Sequence, residues 1–350
     1  LDAATWADLP DWQKDDLTAA WPAFLIGCEK LVSVAEWAEV CREGQKIDGA
    51  DAAAVRAFFE SRFLPWSARN LDGTREGTVT GYYEPLITGS PERTSTARYP
   101  IYAQPEDLIS VDLSAVYPDL ANRRLRGRLV GNKLLPYYDR AGIDDPASGF
   151  KAEVLAWADD AVELFFLQIQ GSGRIQFPDG NSMRIGYADQ NGHPYRSIGK
   201  LLIERGALTL AQASMQGIKA WGQANPDKLQ ALLEANPSYV FFCKLPDGLI
   251  GPLGALGVPL LAERTIAVDL RYIPLGAPVF LATTEPYSTV PLNRLMLAQD
   301  TGGAIRGGVR ADFFWGFGND AGARAGKMKQ TGRMWVLLPR TYPVPAAPKP

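Results

Sequence analysis

Strand-like segments stand at two distant places in this chain, and their separation limits how it can fold. The string "GTVTGYYEPLITGS" (residues 77–90) is rich in Thr, Val, Tyr and Ile and bounded by glycine, which predicts a strand pair or one bent strand. The same character dominates the last third, in "SYVFFCKL", "RTIAVDLRYIPLGAPVFLATT", "NRLMLAQDTGG" and "GRMWVLLP". Between them lies a mixed stretch. There "ELFFLQIQGSGRIQF" and "SMRIGYADQNG" flank the turn "PDG" and predict a hairpin, and residues 197–237 predict two or three consecutive helices. The first 70 residues have helical spacing, with Pro10 and Pro22 at starts or kinks. The expectation is a mainly β, α+β chain: one β-domain built from residues 1–95 and 243–342 with N-terminal helices, a second β-rich domain inserted at 96–242, and a tail at 343–350. A cleft between two such domains is the expected place for a ligand.

Composition removes several classes of partner. A formal charge of −3 with 21% charged residues gives no reason to expect nucleic acid or an anionic membrane surface, and "NRRLRGR" (122–128) reads as a solvated face. Three cysteines cannot all pair; Cys28 and Cys41 are either a bridge or two buried thiols. With His193 as the single histidine and no C-x-x-C spacing, no metal and no cofactor are expected. The chain starts at Leu1 and has no apolar run of about 18 residues, which suggests a trimmed product lacking its targeting segment.

The string "LAQDTGGAIRGGVRADFFWGFG" (297–318) carries the candidate chemistry. Asp300 and Asp312 bracket a glycine-rich segment; one alternative is that they only cap turns. A third acid, Asp269, stands at another strand end of the same region. Acids converging on one cleft raise the pKa of at least one of them, and a carboxyl kept protonated near neutrality can donate to a leaving oxygen. Phe313, Phe314 and Trp315 are core residues or a sugar-stacking surface, with at least two of them expected in the core. In "LQIQGSG", Gln168 and Gln170 would share one strand face, and "TGYYEP" offers paired tyrosines; amides and tyrosines together suit a neutral, hydroxyl-rich ligand, the alternative being a solvated sheet face. Neither "QGSGR" nor "DTGGAIRGG" has the phosphate-loop pattern, so nucleotide binding is excluded.

These strings, with "GYADQNGHPYRSIG", "NPSYVFF", "GPLGALGVPLLAERTIAVD" and "IPLGAPVF", resemble the membrane-bound lytic murein transglycosylase A family over most of the chain. The resemblance implies a double-psi β-barrel, an inserted β-domain and a groove for peptidoglycan glycan strands. It implies cleavage of the β-1,4 bond between N-acetylmuramic acid and N-acetylglucosamine, with the muramyl C6 hydroxyl attacking C1 to leave a 1,6-anhydro end. Asp312 falls at the family's acid position, and Asp300 would set its proton affinity or hold the sugar. Thr80, Tyr82, Tyr83, Gln168, Gln170, Gly171, Ser172, Asp269, Gly302 and Gly303 are the expected substrate contacts, Asp269 with a structural role as the alternative. Ala311, just before the acid, is smaller than the family pattern. The resemblance further implies a periplasmic monomer associated with the outer membrane through a lipid anchor that no residue here supplies. Two other functions fit the same strings: a non-catalytic glycan-binding protein, and a hydrolase that uses water with Glu84 as base.

Overall fold

The computed structural model describes residues 1–120, 123 and 125–343; the tail expected at 343–350 lies beyond them except for Pro343, as do Asn122 and Arg124 of the basic stretch. In chain order the elements begin with strand β1 (Asp2–Ala3), helices α1 (Trp21–Leu31), α2 (Ala35–Gly44) and α3 (Ala52–Arg62), and strands β2 (Phe63–Ser67) and β3 (Gly77–Glu84). There follow β4 (Leu86–Ser90), β5 (Tyr99–Tyr102), β6 (Ile109–Val111), β7 (Leu125–Val130), β8 (Lys133–Pro136), α4 (Arg140–Asp144), β9 (Val154–Ala158), α5 (Ala161–Gln170), β10 (Ser172–Gln176) and β11 (Ser182–Gln190). Helices α6 (Ile198–Glu204), α7 (Met215–Ala224) and α8 (Pro226–Glu234) lead to β12 (Val240–Lys244). The chain closes with β13 (Thr265–Val268), β14 (Pro278–Thr284), β15 (Pro291–Asp300), β16 (Ala311–Phe317), α9 (Gly318–Ala325) and β17 (Lys329–Pro339). It divides into two compact units, one of Leu1–Tyr83 with the part from Gly248 onward, the other Glu84–Asp247.

The first unit holds a sheet ordered β1-β2-β17-β14-β15-β13-β16-β3, in which β3 also pairs with β17. Six strands therefore run in a closed circuit of pairings, consistent with the barrel expected. Interior positions explain why. Both faces of β14 and β17 are covered: Val279, Phe280, Leu281, Trp335, Val336 and Leu337 are almost fully buried, and Phe313 and Trp315 of β16 join the same core. Phe314 is buried in a small neighbouring cluster with Tyr82. All three aromatic residues after Asp312 are thus core residues.

The N-terminal helices pack onto this sheet. Asp51 caps α3 by accepting bonds from the Ala53 and Ala54 N–H groups, which offsets two of the unpaired donors at a helix start. Trp21, Phe24, Phe58, Phe59 and Phe63 form a ring cluster with centroids 5.1 to 6.1 Å apart. Burying each such side chain contributes roughly 1.5–3 kcal/mol. Cys28 and Cys41 are joined in a disulfide between α1 and α2.

The second unit has a six-stranded sheet, β12-β11-β10-β4-β9-β5, and a three-stranded sheet, β6-β7-β8. The hairpin expected around "PDG" is present: β10 and β11 pair antiparallel from Ser172↔Gly186 to Gln176↔Ser182, and Gly180 takes the positive φ of 87° that the turn requires.

Two expectations change here. Leu86–Ser90, placed at the end of the first domain, pairs instead with β10 and β9 of the second unit. Pro85, which has no N–H to give a ladder, separates it from β3. The segment "LFFLQIQ" forms the last turns of a helix, not a strand. Asp160 caps it by accepting from Val162 and Glu163, the buried residues Val162, Leu164, Phe165, Leu167 and Gln168 follow helical period, and Gly171 ends it at φ 78°. On a helix, residues two apart face different directions, so Gln168 and Gln170 share no face.

Candidate active site

The site is built on the middle of the first unit's sheet. Strand β13 lies between β15, which is parallel to it, and β16, which is antiparallel, and Ala267 of β13 is the cross-strand partner of both Asp300 and Asp312. A register shift between Ile266 and Ala267 sets the first of these pairings. Such an irregularity re-aims a side chain at a strand end. As whole residues both acids are half-buried.

Strand β3 supplies the partners. Thr80 and Tyr82 are two residues apart and so face the same side of the sheet. Thr80 Oγ1 donates to Asp312 Oδ1 at 2.6 Å, and the Tyr82 hydroxyl donates to Asp300 Oδ2 at 2.9 Å. Tyr83 points the other way: it packs on the unit's main core, where a Cβ on Gly322 would meet its ring at 2.8 Å. Tyr82 is the tyrosine seen to bond one of the two acids.

The two acids differ in how their oxygens are used. Asp300 Oδ1 accepts from the Ala255 N–H at 3.0 Å and the Thr301 N–H at 2.9 Å, and Oδ2 accepts from Tyr82. Burial, reinforced by the charge of Asp312 and only partly opposed by these donors, lifts the Asp300 carboxyl to about 6. Burial also raises Asp312, against the Thr80 hydrogen bond and the positive Arg310, which lower it. Among the described residues Asp312 Oδ2 makes no hydrogen bond. The Tyr82 phenol is raised well above its usual value by burial and then by Asp300, so it stays a donor.

Arg310 was not singled out in the sequence. It stands two residues before Asp312, the spacing that puts two side chains on one face of an extended chain. Its Nη2 donates to Thr80 Oγ1 at 2.8 Å and its Nη1 to the carbonyls of Ala311 and Thr78.

Asp269 is not part of this pair. It is 1% exposed, bonded to Arg271 Nη2 at 2.5 Å and to the Gly307 N–H at 2.9 Å. Burial alone would raise it, but these donors hold its carboxyl below the usual value. It ties the end of β13 to the glycine loop, the geometry that goes with the structural alternative for this residue. In that loop Gly302 accepts the Ile305 N–H through its carbonyl, and Gly303 is exposed. Among the described residues no group of three or more His, Cys, Asp or Glu side chains is placed to hold a metal ion.

In the second unit, Gln168 is buried and accepts from Arg140 Nη2 at 2.6 Å. Gln170 ends α5 half-buried, Gly171 follows it, and Ser172 opens β10 with 7% exposure. Glu84, the candidate base of a hydrolase, is 1% exposed and lies 2.7 Å from Arg184 and 3.1 Å from Arg174.

Residues 78–243 match the family model of the MltA specific insert domain, and residues 264–338 that of the 3D domain. Membrane-bound lytic murein transglycosylase A of Escherichia coli strain K12 is 36% identical over 296 residues, which span 83% of this chain and 72% of that one. Among solved structures, MltA from Neisseria gonorrhoeae in its monoclinic form superposes with a TM-score of 0.84 at 43% identity, covering 97% of this chain and 93% of that one. The E. coli MltA structure with bound chitohexaose gives a TM-score of 0.70 at 28% identity, covering 97% and 94%.

Proposed function

This chain belongs to the membrane-bound lytic murein transglycosylase A family, and from that premise we infer that it cleaves the β-1,4 bond between N-acetylmuramic acid and N-acetylglucosamine in peptidoglycan. The products carry 1,6-anhydromuramyl ends. A relative solved with chitohexaose supports a glycan ligand.

One observation carries the assignment of roles. Both oxygens of Asp300 are filled by donors, whereas Asp312 has one oxygen free among the described residues. Asp300 holds its proton to about pH 6, yet a carboxyl whose oxygens are already occupied is badly placed to deliver it. Asp312 is the proton donor. The proton on Oδ2 passes to the glycosidic O4 as the C1–O4 bond breaks. The muramyl C6 oxygen then bonds to C1, and its proton returns to the Asp312 carboxylate. Most glycosidases need a second carboxyl as base or nucleophile. Here the nucleophile is part of the substrate, and effective molarity replaces much of that requirement. Glu84 is spoken for by its two arginines, which argues against addition of water.

The activity belongs in the periplasm, where peptidoglycan is, and at the membrane for which the relatives are named. Among the described residues no helix is long and apolar enough to cross a bilayer. Mass spectrometry of digested peptidoglycan tests the reading: anhydro ends support it, whereas reducing ends or intact strands overturn it.

A further inference from the structure

Arg310, Thr80 and Asp312 form a chain in which every hydrogen atom has one direction open to it. A guanidinium has donors and no acceptor, so along the 2.8 Å contact Arg310 Nη2 donates and Thr80 Oγ1 accepts. The Thr80 O–H cannot then point toward Arg310. It points to Asp312 Oδ1, at 2.6 Å. An oxygen already accepting so short a bond is the poorer place for the carboxyl proton, which leaves Oδ2. Arg310 is itself fixed, since its other nitrogen donates to the Ala311 and Thr78 carbonyls.

We propose that Arg310 is a positioning residue for the reaction: acting through the Thr80 hydroxyl, it orients Asp312 and assigns the transferable proton to Oδ2. This rests on Asp312 being the proton donor. Thr80 is then also a positioning residue, not the sugar contact expected from the sequence. Without Arg310 the Thr80 hydroxyl turns freely, and either carboxyl oxygen can carry the proton. Only one of them faces a bond to be broken.

The charged and titratable groups around Asp312 are Arg310, Asp300 and Tyr82. Of these Arg310 acts on its proton affinity in a known direction, as does the uncharged Thr80 hydroxyl. Arg310 and the Thr80 bond both favour the carboxylate, so removing either raises the titration midpoint of Asp312 and moves the alkaline limb of the activity profile upward. A shift of about 1 pH unit is the scale for losing such a partner.

The experiment follows the Asp312 carboxyl carbon by carbon-13 NMR across pH in the full chain, with Asp300 read in the same spectra, and records kcat/KM against pH. Thr80→Val and Arg310→Met are expected to raise the Asp312 midpoint, Thr80→Ser and Arg310→Lys to keep the parent value, and the double loss variant to shift by less than the two single shifts together. Unchanged midpoints in both loss variants would overturn the proposal, as would full additivity, which would mean that Arg310 acts without Thr80. Should Arg310→Met not fold, Thr80→Val compared with Thr80→Ser and Arg310→Lys still decides, because a purely structural Thr80 lowers rate without moving the midpoint. A parent chain that releases no anhydro ends while its midpoints shift as described would overturn the functional reading alone.

Discussion

Asp300 and Asp312 reach the same residue from opposite sides: each is the cross-strand partner of Ala267, one across a parallel pair and the other across an antiparallel pair. The charge of Asp312 adds to the burial that raises Asp300, so the protonation of one acid bears on the other.

Asp312→Asn is expected to lower turnover by roughly 10²–10⁴, the worth of general acid–base assistance. Glycan affinity should change little, because the amide keeps the shape of the carboxyl. Single-turnover rates and a glycan titration on the folded variant check both. Near-parent turnover would remove Asp312 from its role.

Asp300 gives a stability prediction with a definite sign. Its folded carboxyl titrates at about 6 against 3.8 for the unfolded chain, so between these values the folded state binds the extra proton. Stability attributable to Asp300 is therefore greatest below about pH 4 and is lost as pH rises through 6. Asp300→Asn removes this slope and should stabilise the chain at pH 7 relative to the parent, by at most about 3 kcal/mol for a shift of this size. Urea melts at pH 5 and pH 7 for both chains give the comparison. An equal or steeper fall in the variant would contradict the assignment.

Asp269→Ala should act on the fold and not on the chemistry. It strands the Gly307 N–H and one face of Arg271, at a cost of about 1–3 kcal/mol. That corresponds to roughly 2–4 °C in Tm per kcal/mol for a domain of this size. Thermal melts and kcat measured well below Tm separate the two effects. A large loss of kcat with unchanged Tm would return Asp269 to the substrate.

Gln168→Ala makes a parallel case in the second unit. It deprives Arg140 of a buried acceptor, and should cost about 1–3 kcal/mol of stability while glycan affinity stays at the parent value. Weakened binding without loss of stability would support the sequence-based expectation of a substrate contact.

Much of the fold could be read from the chain because its strands are marked by composition as well as pattern. The hairpin at "PDG", the helical N-terminus and the return of strand character near the C-terminus all follow from local rules. The helix at 161–170 was also readable: Asp160 stands at its N-cap and Gly171 just past its end, around apolar residues at helical period. The alternation of Gln168 and Gln170 with aliphatic residues suggested a strand, and the capping residues outweighed it. The site was half legible. Asp300 and Asp312 stand out as acids among glycines, and their meeting depends on a strand pairing that no local pattern encodes. Arg310 was hidden for another reason. A cation beside a glycine loop looks like solvent-facing charge until Thr80, far away in the sequence, is seen to accept from it.

The circuit of strands in the first unit is completed by β3 and β17, which lie at opposite ends of the sequence and pair from Thr80↔Lys329 to Gly77↔Gly332. Asp312 and the hydroxyl that bonds it are 232 positions apart. Contacts of such range form late, after loop closure has been achieved across the whole inserted unit. Glu84–Asp247 is continuous in sequence and has its own sheet, so as the chain emerges from the ribosome it can fold first, while the catalytic side chains remain unassembled. A chain cut short before β17 would then retain a folded second unit, while the circuit of strands that carries Asp312 stays open.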